Sequence, residues 1–144
     1  MKILFEKMCS EAVAPTHNNT GDAGLDFYSA EDTLMRPNSH TVVGTGVRVE
    51  IPEGYVGLLF PKGKNDHLLG AGVIDTYYEG EILFKIVNYY NKYTKIKFGD
   101  PVGQMIIVPF VEPEPQQVFA LESRDSGRGD SGGIKNAKMR GRLS

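Results

Sequence analysis

The chain has 144 residues, a single domain's worth, with a formal net charge of −2 and 24% charged residues, a globular rather than a disordered balance. Cys9 is the only cysteine, which excludes an internal disulfide, and His17, His40 and His67 stand singly, against a structural zinc site. No apolar run approaches the roughly 20 residues of a membrane helix and Met1–Phe5 lacks a signal-peptide core, so a cytoplasmic location is expected.

In chain order, apolar/polar alternation and β-branched residues predict strands over 2–7, 25–29, 41–51, 55–60, 81–89, 94–98, 102–111 and 117–121. Turn chemistry separates them at Arg36-Pro37-Asn38-Ser39, Pro52-Glu53-Gly54, Tyr90-Asn91-Lys92, Phe98-Gly99-Asp100-Pro101 and Pro113-Glu114-Pro115. Gly44 and Gly46 interrupt the 41–51 pattern, where a glycine marks a bulge or a close backbone approach. One short helical turn is expected around 64–69. Many short strands with 17 Gly and 8 Pro predict an all-β subunit, a jelly roll or β-sandwich.

The predicted organisation is a β domain over 1–121 and a basic, Gly-rich C-terminal arm over 122–144. That arm carries six basic residues against three acidic ones, a local +3 on a body of −5. Such an arm is a solvated end, a nucleic-acid arm or a flap that folds onto an anionic ligand. Its modest charge and lack of interleaved aromatics argue against stable nucleic-acid binding.

The most informative segment is Gly72-Val73-Ile74-Asp75-Thr76-Tyr77-Tyr78-Glu79-Gly80-Glu81. It puts Asp75 at the end of a short apolar run, in a turn opened by Gly70-Ala71-Gly72. A carboxylate held at a strand end can face a pocket and serve as general base or water-positioning group, or simply close a surface hairpin. Other segments add Asp26 in an apolar strand, Lys62 and Lys64 on a glycine turn, Gln104 at a strand start and Arg128 in the arm. Two carboxylates, several cations, an amide and flexible backbone donors suit a Mg²⁺-bound polyphosphate and a water nucleophile.

The succession AGLDFYSAED, PKGKN, GVIDTYYEGE, GDPVGQ and RGDSGG, over 22–133, resembles the five motifs of the trimeric dUTPases. The resemblance implies a jelly-roll subunit, a homotrimer and active sites between subunits, with the C-terminal arm closing over a neighbour's site. The implied reaction takes dUTP and water to dUMP and pyrophosphate, with Mg²⁺ on the phosphates. By the same resemblance, Asp75 would orient or deprotonate the attacking water, and Tyr78 would pack under the deoxyribose. A hairpin of Gly70, Ala71, Gly72 and Ile74 would read uracil through main-chain groups. Asp26 would hold the Mg²⁺ hydration shell through water, Gln104 and Lys62 or Lys64 would contact phosphate, and Arg128 would pair with the terminal phosphate.

Two motifs depart from the family pattern. Lys62-Gly63 stands where an Arg-Ser pair is usual, and Gly133 stands where an aromatic covers the base. The stretch from Lys62 to Ala71 is also shorter. These departures leave two alternatives beside dUTP hydrolysis: a dUTPase-fold binding module with little turnover, or a hydrolase of another deoxynucleoside triphosphate.

Overall fold

A computed structural model of the chain describes residues 1–63 and 68–124. The chain divides into two compact units, 1–111 and 112–144. The first unit ends at Val111, ahead of the charge change at Glu122.

The first unit is antiparallel β throughout. Its strands are β1 (Leu4–Lys7), β2 (Leu25–Tyr28), β3 (Thr33–Met35), β4 (Ser39–Gly44), β5 (Val47–Glu50), β6 (Tyr55–Phe60), β7 (Leu68–Leu69), β8 (Gly72–Ile74), β9 (Leu83–Asn88), β10 (Thr94–Ile96) and β11 (Pro101–Pro109). One sheet runs β2-β11-β6-β8 and a second β4-β9-β7, with β1-β5 and β10-β3 as separate pairs. Sequential strands rarely neighbour each other, as in a jelly roll. No helix occurs among the described residues, and so none long and apolar enough to cross a membrane.

Alternation aims one face of β5 and β9 inward, and a register shift near the start of β11 adds Val102 and Met105 to the same core. Val47 and Val49 of β5, Phe84 and Ile86 of β9, and Val102 and Met105 of β11 are buried, while the intervening Arg48 and Lys85 are exposed. Phe27 of β2 meets Phe84 at 6.0 Å between ring centroids, joining the two larger sheets. Each fully buried side chain of this size contributes about 1.5–3 kcal/mol.

The expected single strand over 41–51 is two strands. Gly46 adopts φ 67°, and a Cβ there would lie 2.9 Å from Ala12 Cβ. Only glycine fits both requirements. Thr45, buried beside it, donates its hydroxyl to Ile82 O at 2.7 Å and accepts from Val47 N at 3.3 Å. The break sends β4 to β9 and β5 to β1.

Three further expectations are corrected. The segment 117–121 forms no strand: it makes no ladder among the described residues, and Phe119 and Leu121 are exposed. Gly70 and Gly72 do not belong to one hairpin. Leu68–Leu69 pairs with β9 and Gly72–Ile74 with β6, so Gly70-Ala71 crosses from one sheet to the other. The helical turn near 64–69 ends as strand β7, and 64–67 lie outside the described residues.

Asn88 is a buried polar residue that the hydrophobic pattern passes over. Its amide donates to Arg36 O and Lys92 O, both at 2.9 Å, and its Oδ1 accepts from Tyr90 N at 3.1 Å. It closes the β9–β10 connection onto β3. Asn88→Ala leaves these backbone groups unpaired and is expected to cost about 2–4 kcal/mol, read by denaturant unfolding. A loss below 0.5 kcal/mol (roughly the scale of a surface change) would show that water replaces the amide.

Candidate active site

Two groups of the expected site residues are each built locally, at different levels of the same sheet. The first lies at one end of β11 and β6. Gln104 of β11 pairs with Asp26 of β2 on one side and with Phe60 of β6 on the other. Lys62 follows β6 by two residues. These residues, with Asn18, Asn19, Asp22, Gly24 and Gly63, line a cavity of about 540 Å³.

Asp26 is 4% exposed, which would be costly for a lone carboxylate. It is paired on both oxygens. Lys62 Nζ lies 2.6 Å from Oδ1, and the Asn18 amide donates to Oδ2. The Lys62 side chain is 25% exposed, so Asp26 is the member that depends on the pairing for its counter-charge. Gln104 donates Nε2 to Pro61 O at 3.0 Å, which fixes its side chain beside Lys62. Gly24 makes room for it: a Cβ there would collide with Gln104 Oε1 and lie 3.0 Å from its Cβ and Cδ. At Gly63, where the resemblance expects serine, a Cβ would meet nothing within 4 Å.

The donors in this cavity are carboxylate and amide oxygens, a hard set that suits a hydrated Mg²⁺. Both Asp26 oxygens already accept hydrogen bonds, so contact through a coordinated water fits and direct ligation does not. Among the described residues, no three His, Cys, Asp or Glu side chains form a metal cluster by themselves.

The second group lies at the other end of β6. Ile74 of β8 pairs with Gly57, which sets the exposed Asp75 level with Val56. Thr76 donates its hydroxyl to Tyr55 O at 2.9 Å, and Tyr78 N donates to Asp75 O at 3.1 Å. The Tyr78 hydroxyl donates to Glu81 O at 2.7 Å, and Glu81 Oε2 accepts from Gly46 N at 3.0 Å. The turn carrying Asp75 and Tyr78 is thereby tied to β6 and to the β4–β5 break. Tyr78 lies against Gly80, where a Cβ would sit 2.6 Å from Cζ and 2.9 Å from Cε1. β8 is the last strand of its sheet, so its outer backbone edge faces no partner strand among the described residues.

The two groups do not meet within one chain. Four residues of β6 and three interstrand spacings separate Asp75 from Asp26, about 20 Å between backbones. Lys64 and Arg128 lie outside the described residues, as does Gly133. The hydrophobic pattern passed over Asn18, Gly24 and Gly80. A polar residue and glycines flanking a motif carboxylate and tyrosine were the available signals.

The dUTPase family profile matches residues 10–133. The chain belongs to the dUTPase family. A Yarrowia lipolytica deoxyuridine 5'-triphosphate nucleotidohydrolase is 35% identical over 148 residues, covering 97% of this chain and 93% of that protein. The Hydrogenobaculum enzyme of that name is 32% identical over 92% of this chain and 99% of its own length. The human mitochondrial relative is 32% identical, and the match spans 54% of its length. Among solved structures, a Staphylococcus bacteriophage 80alpha dUTPase with dUpNHpp superposes with TM-score 0.82 at 28% identity, covering 92% and 98% of the two chains. A phage phi11 dUTPase of S. aureus, described with a structural Mg(II) ion, gives TM-score 0.78 at 29% identity, covering 85% and 100%.

Gly80→Ala is expected to cost about 1–3 kcal/mol in denaturant unfolding, because the new methyl overlaps the Tyr78 ring. In a Tyr78→Ala background the same change should cost almost nothing. Equal penalties in both backgrounds would place the strain in the backbone rather than against the ring.

Proposed function

We propose that this chain hydrolyses dUTP to dUMP and pyrophosphate, at a site completed by a second copy of itself. Membership of the dUTPase family supports the reaction. The separation of the two residue groups along β6 supports the composite site. A base acting at the α-phosphorus and a cation gripping the neighbouring phosphates must lie within a few ångströms of one triphosphate. Asp75 and the Asp26–Lys62 pair of one chain, about 20 Å apart, cannot do so. Asp75 of one copy placed against the Asp26–Lys62–Gln104 cavity of another meets the requirement, and a closed ring of three copies repeats it without leftover surfaces.

In this reading the exposed Asp75 carboxylate accepts a hydrogen bond from a water and takes its proton as the water oxygen attacks the α-phosphorus. The new P–O bond forms as the bond to the α–β bridging oxygen breaks, and pyrophosphate leaves with the bonding electrons. Tyr78, braced on Gly80, provides the apolar floor for the deoxyribose and leaves no room for a 2′-hydroxyl. The free edge of β8, from Gly72 to Ile74, offers backbone donors and acceptors to uracil; Ala71 and Gly70 keep the approach open. Lys62 and Gln104 neutralise and orient the phosphates, with Lys64 and, from the arm, Arg128 adding charge. Mg²⁺ bound to the phosphates would supply charge neutralisation, with Asp26 accepting hydrogen bonds from its coordinated water.

Purified protein with Mg²⁺ is expected to release pyrophosphate from dUTP, with dCTP, dTTP and UTP turned over at least about 100-fold more slowly. Asp75→Asn should lower kcat by about 10²–10⁴-fold while nucleotide affinity changes little. Turnover of another nucleotide in preference to dUTP would overturn the substrate assignment. An unchanged kcat in Asp75→Asn would remove Asp75 from the chemistry.

A further inference from the structure

Asn18 sits on an exposed loop before β2, yet its amide reaches the buried Asp26. The loop is pinned there by backbone bonds in both directions, Thr16 N to Asp26 O at 3.1 Å and Asp26 N to Thr16 O at 2.8 Å. The side chains form a continuous polar chain. Thr16 Oγ1 donates to Asn18 Oδ1 at 3.3 Å, and Thr16 Oγ1 and the Tyr28 hydroxyl lie 2.5 Å apart. A threonine hydroxyl has one proton, and it is committed to Asn18, so Tyr28 must be the donor to Thr16. Asn18 Oδ1 is then the acceptor end of its amide, which leaves Nδ2 facing Asp26. The order runs Tyr28 to Thr16 to Asn18 to Asp26, and Asp26 Oδ1 meets the Lys62 ammonium.

The direction of these bonds has a chemical consequence. Every donor points toward the Asp26 carboxylate, so the chain supports its ionised form and fixes its plane. With Oδ2 held by Asn18, the carboxylate cannot rotate, and Oδ1 stays on Lys62. Without Asn18, Oδ2 would open to solvent at the exposed loop and the carboxylate could swing away from Lys62.

We propose that Asn18 is a positioning residue of this site: through Asp26 it holds the Lys62 ammonium where a phosphate reaches it, with Thr16 and Tyr28 setting the orientation of the Asn18 amide. This rests on the proposed reading of Asp26 and Lys62 as phosphate- and cation-handling groups. It assigns Asn18 no contact with substrate.

The test separates the two. Reaction of Lys62 with a water-soluble acetylating reagent, followed by peptide mass spectrometry on the nucleotide-free full chain, reports its pairing without any activity. Asn18→Ala should speed Lys62 acetylation about 3- to 10-fold, the range for partial loss of a charge-assisted hydrogen bond that water replaces in part. Thr16→Val, which keeps the shape and removes the hydroxyl, should act in the same direction but less. The double variant should match Asn18→Ala alone, because Thr16 acts only through Asn18. Lys62 acetylation at the wild-type rate in Asn18→Ala would overturn the proposal, as would Thr16→Val and Asn18→Ala effects that simply multiply.

A second arm titrates Mg²⁺ against dUTP turnover. Asn18→Ala should raise the half-saturating Mg²⁺ several-fold and also lower dUpNHpp affinity in EDTA, measured by calorimetry, about 3- to 10-fold, because the Lys62 contact to phosphate does not need the metal. Unchanged dUpNHpp affinity in EDTA would overturn the positioning role, because Lys62 would then meet phosphate equally well without Asn18. Absence of dUTP turnover in the wild type would instead count against the proposed function, with the acetylation arm still deciding the role of Asn18.

Discussion

The hydrogen-bond ladder of β6 constrains everything else about this site. β6 is held on one side by β11 and on the other by β8, with registers that pin Gln104 to Phe60 and Ile74 to Gly57. A pleated strand advances about 3.3 Å per residue, so these registers set a distance as rigidly as a covalent frame would. They place the Asp26–Lys62 pair at one end and Asp75 with Tyr78 at the other. A one-residue slip would carry Leu59, now buried, to the solvent side, and the core forbids it. The fold thus holds two groups of candidate site residues apart on one sheet.

Each half-site is rigid for its own reason. The Asp26–Lys62 group is held by an ion pair whose carboxylate is buried and whose lysine is partly exposed, with Asn18 on the second carboxylate oxygen. The Asp75 group is held by bonds between side chains and backbone: Thr76 Oγ1 to Tyr55 O, the Tyr78 hydroxyl to Glu81 O and Gly46 N to Glu81 Oε2. Glycines sit where side chains must cross closely, Gly24 under Gln104 and Gly80 under Tyr78. Asp75 itself stands exposed at the surface of the chain, as the proposed composite site requires.

Much of this was legible in the sequence. The alternation over 55–60 coincides with β6, and the short apolar run before Asp75 becomes β8 with Asp75 just beyond its end. Periodicity reports which face of a strand is buried, so it finds strands that lie against the core. It could not find the split of 41–51 into β4 and β5, which depends on Ala12 approaching Gly46 from a distant part of the chain. Nor could it show that Gly70 and Gly72 serve different sheets, because pairing partners are not local information. The 117–121 pattern shows the converse: alternation is present, yet the segment forms no strand among the described residues, because alternation alone does not supply a pairing partner. Asn18 and Asn88 were invisible to any hydrophobic pattern, since both act through amides whose partners lie elsewhere in sequence.

The account's central claim is that a working site takes Asp75 from one copy and Lys62 and Gln104 from another. Co-expression of an Asp75→Asn chain with a Lys62→Met/Gln104→Ala chain tests it most directly. Each variant alone should be nearly inactive. The co-expressed pool should regain about a quarter of wild-type activity, since random assembly leaves one site in four with both halves intact. Mixed oligomers no more active than the separate variants would contradict the account, because they would mean that both halves act within a single chain.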